Sequence, residues 1–271
     1  MGIFDGYLFC TDLDDTLLTD DKRVSEENKR AIDYFVKEGG LFTFATGRVP
    51  GGVKHLLKYV MPNAPMVCFN GGYIYDFEKD KYLWTSELDE NVTEVVEYVD
   101  KNYPPAGIDV CTRDNVYLCK VNRIVEEHKM FEMLDDNYID YHQVKGPWSK
   151  VLFMMESEYI PGIKKLIDEA GFKERYNFVQ SSPWYYELLP KGATKGNGLL
   201  KLAEILGIDP EKTIGMGDNE NDLDLVKKAA LGVAVGNAAT IVKEAADIVT
   251  VSYKDHAAAA VIEMLEKKIK G

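Results

Sequence analysis

The sequence predicts an α/β fold, a doubly wound and mostly parallel sheet carrying an inserted α+β domain, and three observations predict it. Short apolar runs alternate with amphipathic stretches at both ends of the chain. Acidic or glycine-rich turns stand where the strands would end. Between the two ends the rhythm changes to helix, two strands, helix, two strands.

Residues 7–10 form a short apolar run ending on an acidic turn, the pattern of a strand buried on both faces. A helix should follow: Ser25 is placed to cap it, Ala31, Ile32, Phe35 and Val36 share one face, and Gly39 with Gly40 stops it. Residues 41–45 read as a second strand. Pro50 opens a second helix, with Val53, Leu56, Leu57 and Val60 at spacing i, i+3, i+4, i+7, and residues 65–69 begin a third strand.

The insert begins with a helix on Val92, Val95, Val96 and Val99, then strands at 108–111 and 116–120. A helix over 124–134, a strand at 151–155, a helix on Ile163, Leu166 and Ile167, and strands near Phe178 and over 185–188 follow. The α/β rhythm then resumes: helix 198–206, strand 213–216, helix 221–229, strand 232–235, helix 240–246, strand 248–251 and a last helix to Lys270. These boundaries divide the chain into a core of residues 1–86 and 190–271 and an inserted domain of 87–189. At 271 residues, with 46% hydrophobic and 28% charged side chains, both parts can build a core, and neither disorder nor a fibrous repeat is expected.

The net charge of −13 disfavours nucleic acid and anionic membranes as partners, and would repel a phosphorylated metabolite too unless something local reverses the sign. No apolar stretch has the length of a bilayer span, and the first residues lack a basic, cleavable leader, so a cytoplasmic protein is expected. The four cysteines (Cys10, Cys68, Cys111, Cys119) are scattered, without a Cys-x-x-Cys pair, and read as reduced and half-buried. His55, His128, His142 and His256 show no partner pattern and read as structural or solvent-facing.

Four short motifs could carry chemistry. The first is Asp12-Leu13-Asp14-Asp15-Thr16, at the end of the first strand, where ligands bind in open α/β sheets. A solvated turn would explain it alone, but Asp12 and Asp14, at i and i+2, should project to one side and need a cation to stay ionised together. Gly217-Asp218-Asn219-Glu220-Asn221-Asp222 also ends a strand; helix capping would explain it, yet two acidic clusters on one rim suit Mg²⁺. Neither is an EF-hand, because Leu17 and Leu223 stand at the sixth positions and Arg23 and Ala229 at the twelfth.

Thr46-Gly47-Arg48 ends the second strand with a hydroxyl, a backbone N–H and a helix start, which together can seat an anion. The segment from Lys191 to Lys195 precedes the helix of Leu199, Leu202 and Leu206. Cations there oppose the helix dipole by roughly 0.3–1 kcal/mol, so a bound anion would explain them. No Walker A motif is present, and Glu220 replaces the third glycine of a dinucleotide cradle.

In this order and at these strand ends, the motifs resemble the haloacid dehalogenase superfamily, Cof type. Asp12, Asp14 and Thr16 match its Asp-x-Asp-x-Thr; Thr46 matches the hydroxyl residue closing a hydrophobic strand; Lys195 matches the lysine before a helix. Gly217, Asp218, Asn221 and Asp222 match Gly-Asp-x-x-Asn-Asp, and the turn Asn70-Gly71-Gly72 followed by 73–76 resembles the hairpin before the family's cap. The resemblance covers residues 7–86 and 187–252, while the insert matches only in pattern and position.

The resemblance implies a Rossmann-like core with a class IIB cap, and a phosphatase acting on a small phosphorylated metabolite, with a sugar phosphate the first expectation. It implies Asp12 as nucleophile and Asp14 as general acid and then base, protonated beforehand with help from the Asp12 charge. It assigns Mg²⁺ to Asp12, Asp218 and the Asp14 backbone carbonyl, with Thr16 and Asp222 in support. The N–H groups of Leu13 and Gly47, with Thr46, Lys195 and Asn221, would hold the phosphoryl oxygens and supply the local positive field that the net charge lacks. The insert would close over the site and choose the leaving group; whether Arg48, Arg113 or Glu187 touches substrate is left open, as is the oligomeric state. A phosphomutase on the same scaffold and a non-catalytic sensor of phosphometabolites are the alternatives.

Overall fold

The structure, a computed structural model, describes residues 2–271. Its first apolar run becomes β1 (Leu8–Thr11), in which every residue is buried. Helix α1 (Glu26–Lys37) follows, and Ser25 caps it as expected, its hydroxyl accepting the Asn28 N–H. β2 (Leu41–Phe44) pairs with β1 in parallel. Phe9 of β1 packs edge-on against Phe35 of α1 and Phe42 of β2, so one face of the sheet closes on aromatic rings.

The second helix is shorter than its spacing predicts. Only α2 (Pro50–Val53) is α-helical, and a 3₁₀ turn at Lys54–Leu56 replaces the rest. Gly51 and Gly52, in its first turn, are poor helix formers, and four residues cannot sustain a helix in isolation.

The third strand also departs from expectation. β3 (Met66–Cys68) reaches β2 through a single bridge, Ala45 to Val67, and otherwise pairs antiparallel with β4 (Tyr73–Asp76), which pairs with β5 (Lys81–Thr85). The chain reverses immediately after β3 because Phe69, Asn70 and Gly71 all take positive φ, which ends a parallel ladder.

Residues Ser86–Ala193 form a separate compact unit. It contains α3 (Val92–Asn102), β6 (Gly107–Thr112), β7 (Val116–Lys120), α4 (Arg123–Glu132), β8 (Trp148–Met154), α5 (Ile160–Glu169), β9 (Asn177–Ser182) and β10 (Tyr185–Leu189). Its sheet has the order β7-β6-β8-β10-β9 and is antiparallel throughout. One face packs Ile108, Val110, Val151, Phe153, Tyr186 and Leu188 against the apolar sides of α3 and α5. The alternate residues of the same strands include a buried ion pair, Lys150 Nζ to Glu187 Oε2 at 2.7 Å. Glu187, in β10, is therefore internal to this unit, while Arg113 pairs with Glu87.

The chain returns as α6 (Lys195–Leu206), β11 (Thr213–Gly217), α7 (Leu223–Lys228), β12 (Leu231–Ala234), α8 (Thr240–Ala245), β13 (Ile248–Val249) and α9 (Ala257–Lys270). With residues 2–85 these elements form the other compact unit. Its main sheet is parallel, in the order β13-β12-β11-β1-β2. On the face opposite the aromatic rings, Leu8 and Cys10 pack with Leu199, Leu202, Ala203 and Leu225. A parallel sheet covered on both faces explains why its strands read as unbroken apolar runs.

The cysteines are free; Cys10, Cys68 and Cys111 are fully buried rather than half-buried, and Cys119 is partly exposed. His128, expected to lack a partner, has its Nδ1 at 3.1 Å from the buried Asp109 carboxylate. No helix among the described residues is long and apolar enough to cross a membrane.

Candidate active site

Parallel register assembles the site. Thr11 of β1 stands level with Phe44 of β2 on one side and Met216 of β11 on the other. The residues just beyond these three, Asp12, Thr46 and Asp218, therefore emerge at one edge, the carboxyl ends of the strands. The Asp12 N–H donates to the Met216 carbonyl at 2.9 Å, and the Thr46 N–H to the Val67 carbonyl at 2.9 Å, which fixes both turns at their roots.

Lys195 is the centre of the constellation. It is the first residue of α6, and Thr194 caps that helix through its hydroxyl, which accepts the Asn197 N–H. Its side chain is 1% exposed, and its ammonium donates to Oδ1 of Asp12 and Oδ1 of Asp222, both at 2.6 Å. The start of α6 can come this near because residue 71 is glycine: at φ +93° a Cβ there would lie 1.9 Å from the Thr194 carbonyl oxygen. Lys191 does something else, donating to the Lys173 carbonyl at 2.7 Å on an exposed turn, so only one of the two lysines enters the site.

Asp222 is fully engaged by the protein. Its Oδ1 takes Lys195, and its Oδ2 accepts the N–H groups of Asp218 and Asn219, each at 3.1 Å, inside a capping box. Thr16 donates its hydroxyl proton to Oδ1 of Asp218 at 2.8 Å. One oxygen of Asp12 and one of Asp218 accept no hydrogen bond among the described residues.

Asp12, Asp218 and Asp222 can each bring a carboxylate oxygen within 4.8 Å of the others, as a metal site requires. Three carboxylates face one ammonium, so two negative charges remain unbalanced when all are ionised, which fits a hard divalent cation. The protonation tendencies agree. Burial, followed by the neighbouring Asp222 carboxylate, pushes Asp12 well above the usual carboxylate range against the pull of Lys195. The same two causes push Asp218 up to about 7. Burial disfavours the Lys195 charge, but Asp12 and Asp222 outweigh it and hold the ammonium protonated.

Asp14 corrects the sequence reading. It does not share the Asp12 cluster; both its oxygens are taken by Arg48, and Lys22 donates to Oδ1 at 2.8 Å. Burial alone would raise its pKa, but Arg48 and then Lys22 overcome that, and the carboxyl stays below its ordinary value rather than above it. The cause is a small hairpin in which Leu18 pairs with Val24 and brings Lys22 back over the loop.

The remaining expected residues surround these. Thr46 is buried, its Oγ1 accepting the Arg48 N–H at 3.1 Å, with Gly47 between them; Leu13 is buried in the loop after β1. Asn221 donates through Nδ2 to Oδ1 of Asn70 at 3.1 Å. The grip of Arg48 and Lys22 on Asp14 was not readable from spacing, and Asn70 was legible only as a turn residue.

The comparisons agree with this geometry. The model of the haloacid dehalogenase-like hydrolase family matches residues 9–262. YxeH of Bacillus subtilis, named as a phosphatase, is 30% identical over 95% of this chain and 97% of its own. YitU of the same organism, named as a 5-amino-6-(5-phospho-D-ribitylamino)uracil phosphatase, is 27% identical over 92% of this chain and 93% of its own. Among solved structures, TM0651 of Thermotoga maritima superimposes with a TM-score of 0.78 at 28% identity over 95% of this chain and 97% of that one. The subclass IIB sugar phosphatase BT4131, at 20% identity, shares the fold with a TM-score of 0.84 over 97% of this chain and 99% of that one. Family model, relatives and the cluster at the strand ends lead to one conclusion: this chain belongs to the haloacid dehalogenase-like hydrolases, as a phosphatase.

Proposed function

We propose that the chain is a Mg²⁺-dependent phosphatase of a small phosphorylated metabolite, a sugar phosphate in the first instance, working through an aspartyl-phosphate on Asp12. The observation that carries this reading is the placement of the Asp12 carboxylate, buried, held at one oxygen by Lys195 and open at the other beside Asp218.

Asp12 attacks phosphorus in line, forming the acyl phosphate as the ester oxygen leaves with a proton from Asp14. Asp14 then takes a proton from water, the water oxygen attacks the phosphorus, and phosphate departs as the Asp12 carboxylate is restored. For the first step Asp14 must carry a proton, which Arg48 and Lys22 disfavour; the second step uses the carboxylate that those two cations hold. Lys195, Asn221, the Thr46 hydroxyl and the N–H groups of Leu13 and Gly47 bind the phosphoryl oxygens as charge shifts. Asp12, Asp218 and the Asp14 carbonyl would hold Mg²⁺, with Thr16 and Asp222 orienting them, and the ion would neutralise the carboxylates and the developing phosphoryl charge.

The substrate class draws on relatives whose names carry a phosphorylated ribityl chain and a sugar phosphate, both phosphate esters of a polyhydroxylated carbon chain. The test is phosphate release from a panel of sugar, nucleotide and cofactor phosphates with Mg²⁺ or with EDTA, for the parent chain and Asp12→Asn. Release only from the parent and only with Mg²⁺ is expected; equal release by Asp12→Asn overturns the reading. An isomerised ester in place of free phosphate would mark a mutase, and binding without turnover a sensor.

A further inference from the structure

Asn70 occupies the turn that ends β3, with φ 52° and ψ 34°, a left-handed conformation in which asparagine is one of the few tolerated side chains. The turn does not float. The Asn70 N–H donates to the Thr46 carbonyl at 3.0 Å, tying it to the end of β2. The residue is 2% exposed, so its carboxamide is removed from bulk solvent.

Half of that carboxamide is satisfied and half is not. Oδ1 accepts the Nδ2–H of Asn221 at 3.1 Å, and this turns the Asn70 Nδ2 the other way. That nitrogen has no hydrogen-bond partner among the described residues. Buried donors are almost always paired, and an orphan at the edge of a ligand site calls for an acceptor that the protein does not supply. The space beside it is kept open by the absence of a side chain: a Cβ on Gly47 would lie 3.0 Å from the Asn70 Nδ2.

We propose that Asn70 is a further phosphate-binding residue, its Nδ2–H donating to a phosphoryl oxygen held between Gly47 and Asn221. The inference rests on the phosphatase reading given above. An anion is the chemistry selected, because a lone N–H donor beside the Gly47 backbone and Asn221 can be met only by an acceptor. The left-handed turn and the Asn221 contact fix the amide in advance, so no side-chain ordering is needed when the phosphoryl group arrives.

The test compares the parent chain, Asn70→Gly and Asn70→Asp in the presence of Mg²⁺. Glycine takes positive φ freely, and aspartate keeps the acceptor for Asn221 while losing the donor, so together they separate the fold from the contact. Binding of inorganic phosphate by calorimetry is expected to weaken roughly tenfold or more in both variants, about the effect of one lost hydrogen bond to a charged group, with kcat/KM for p-nitrophenyl phosphate falling in parallel. The rise in melting temperature with Mg²⁺ should stay as in the parent. Phosphate affinity within twofold of the parent in Asn70→Asp overturns the proposal, as does a loss confined to melting temperature. A parent chain that neither binds phosphate nor turns over ester would instead overturn the phosphatase reading, before any variant is compared.

Discussion

Arg48 holds both carboxylate oxygens of Asp14: its Nε donates to Oδ2 and its Nη2 to Oδ1, each at 3.0 Å. A planar guanidinium matches a carboxylate in two places, which a lysine cannot reproduce. The pair keeps Asp14 below its ordinary value of 3.8, so its stabilising effect is present above that pH and fades as pH falls through the lower, folded-state value. Arg48→Met should therefore cost about 1 kcal/mol or less at pH 7, because Asp14 is partly exposed, and the gap from the parent should close well below pH 4. In the proposed mechanism the alkaline limb of kcat/KM marks Asp14 losing its proton. That limb should move to higher pH in the variant; an unmoved limb would show that another group sets it.

Lys195 pairs with two buried carboxylates at once. Removing one partner of a buried ion pair leaves uncompensated charge and costs about 3–5 kcal/mol. Lys195→Met should lower the urea midpoint accordingly, and turnover should fall by about 10²-fold or more. Parent-like stability in this variant would mean that the two ion pairs contribute nothing to holding the fold.

With Asp218 at about 7 in the folded chain against an ordinary 3.8, the native state binds the extra proton between those values. Its contribution to stability therefore declines as pH rises through that window, and the penalty is complete above it. A cation binds the ionised form and competes with that proton. Mg²⁺ should raise the melting temperature more at pH 8 than at pH 6, and Asp218→Asn should abolish the difference. Equal increments at both pH values in the parent would remove Asp218 from the metal site.

The Lys150–Glu187 pair is sealed within its own sheet, with side chains 8% and 3% exposed. Glu187→Gln should destabilise the chain by about 3–5 kcal/mol, whereas the double change Lys150→Met with Glu187→Leu should recover most of the loss. The check is the urea midpoint of the three chains; a double variant no better than the single one would assign Glu187 a role beyond neutralising Lys150.

What could be read in the sequence was whatever local order decides. Asp12, Thr46, Lys195 and Asp218 each sit one or two residues beyond a strand or at the start of a helix, so pattern alone placed them on elements whose ends converge. Contacts made by long side chains across loops had no such signal. Lys22 and Arg48 reach Asp14 from eight and 34 residues away, through a hairpin and a helix start whose geometry no periodicity encodes. The β3 strand misled for a related reason: its apolar run suits either kind of sheet, and the positive φ at Phe69 that begins to turn it back is atypical of a phenylalanine.

The hydroxyl of Thr16 and the carboxylate of Asp218 that it steadies are 202 residues apart in the chain. At a ribosomal pace of about 5–20 residues per second, the nascent Asp12 waits roughly 10–40 s for its acidic neighbour Asp218 to be synthesised. Until β11 slots in beside β1, the acidic cluster at the strand ends cannot assemble. The cluster thus assembles late, once about four-fifths of the 271-residue chain has been translated.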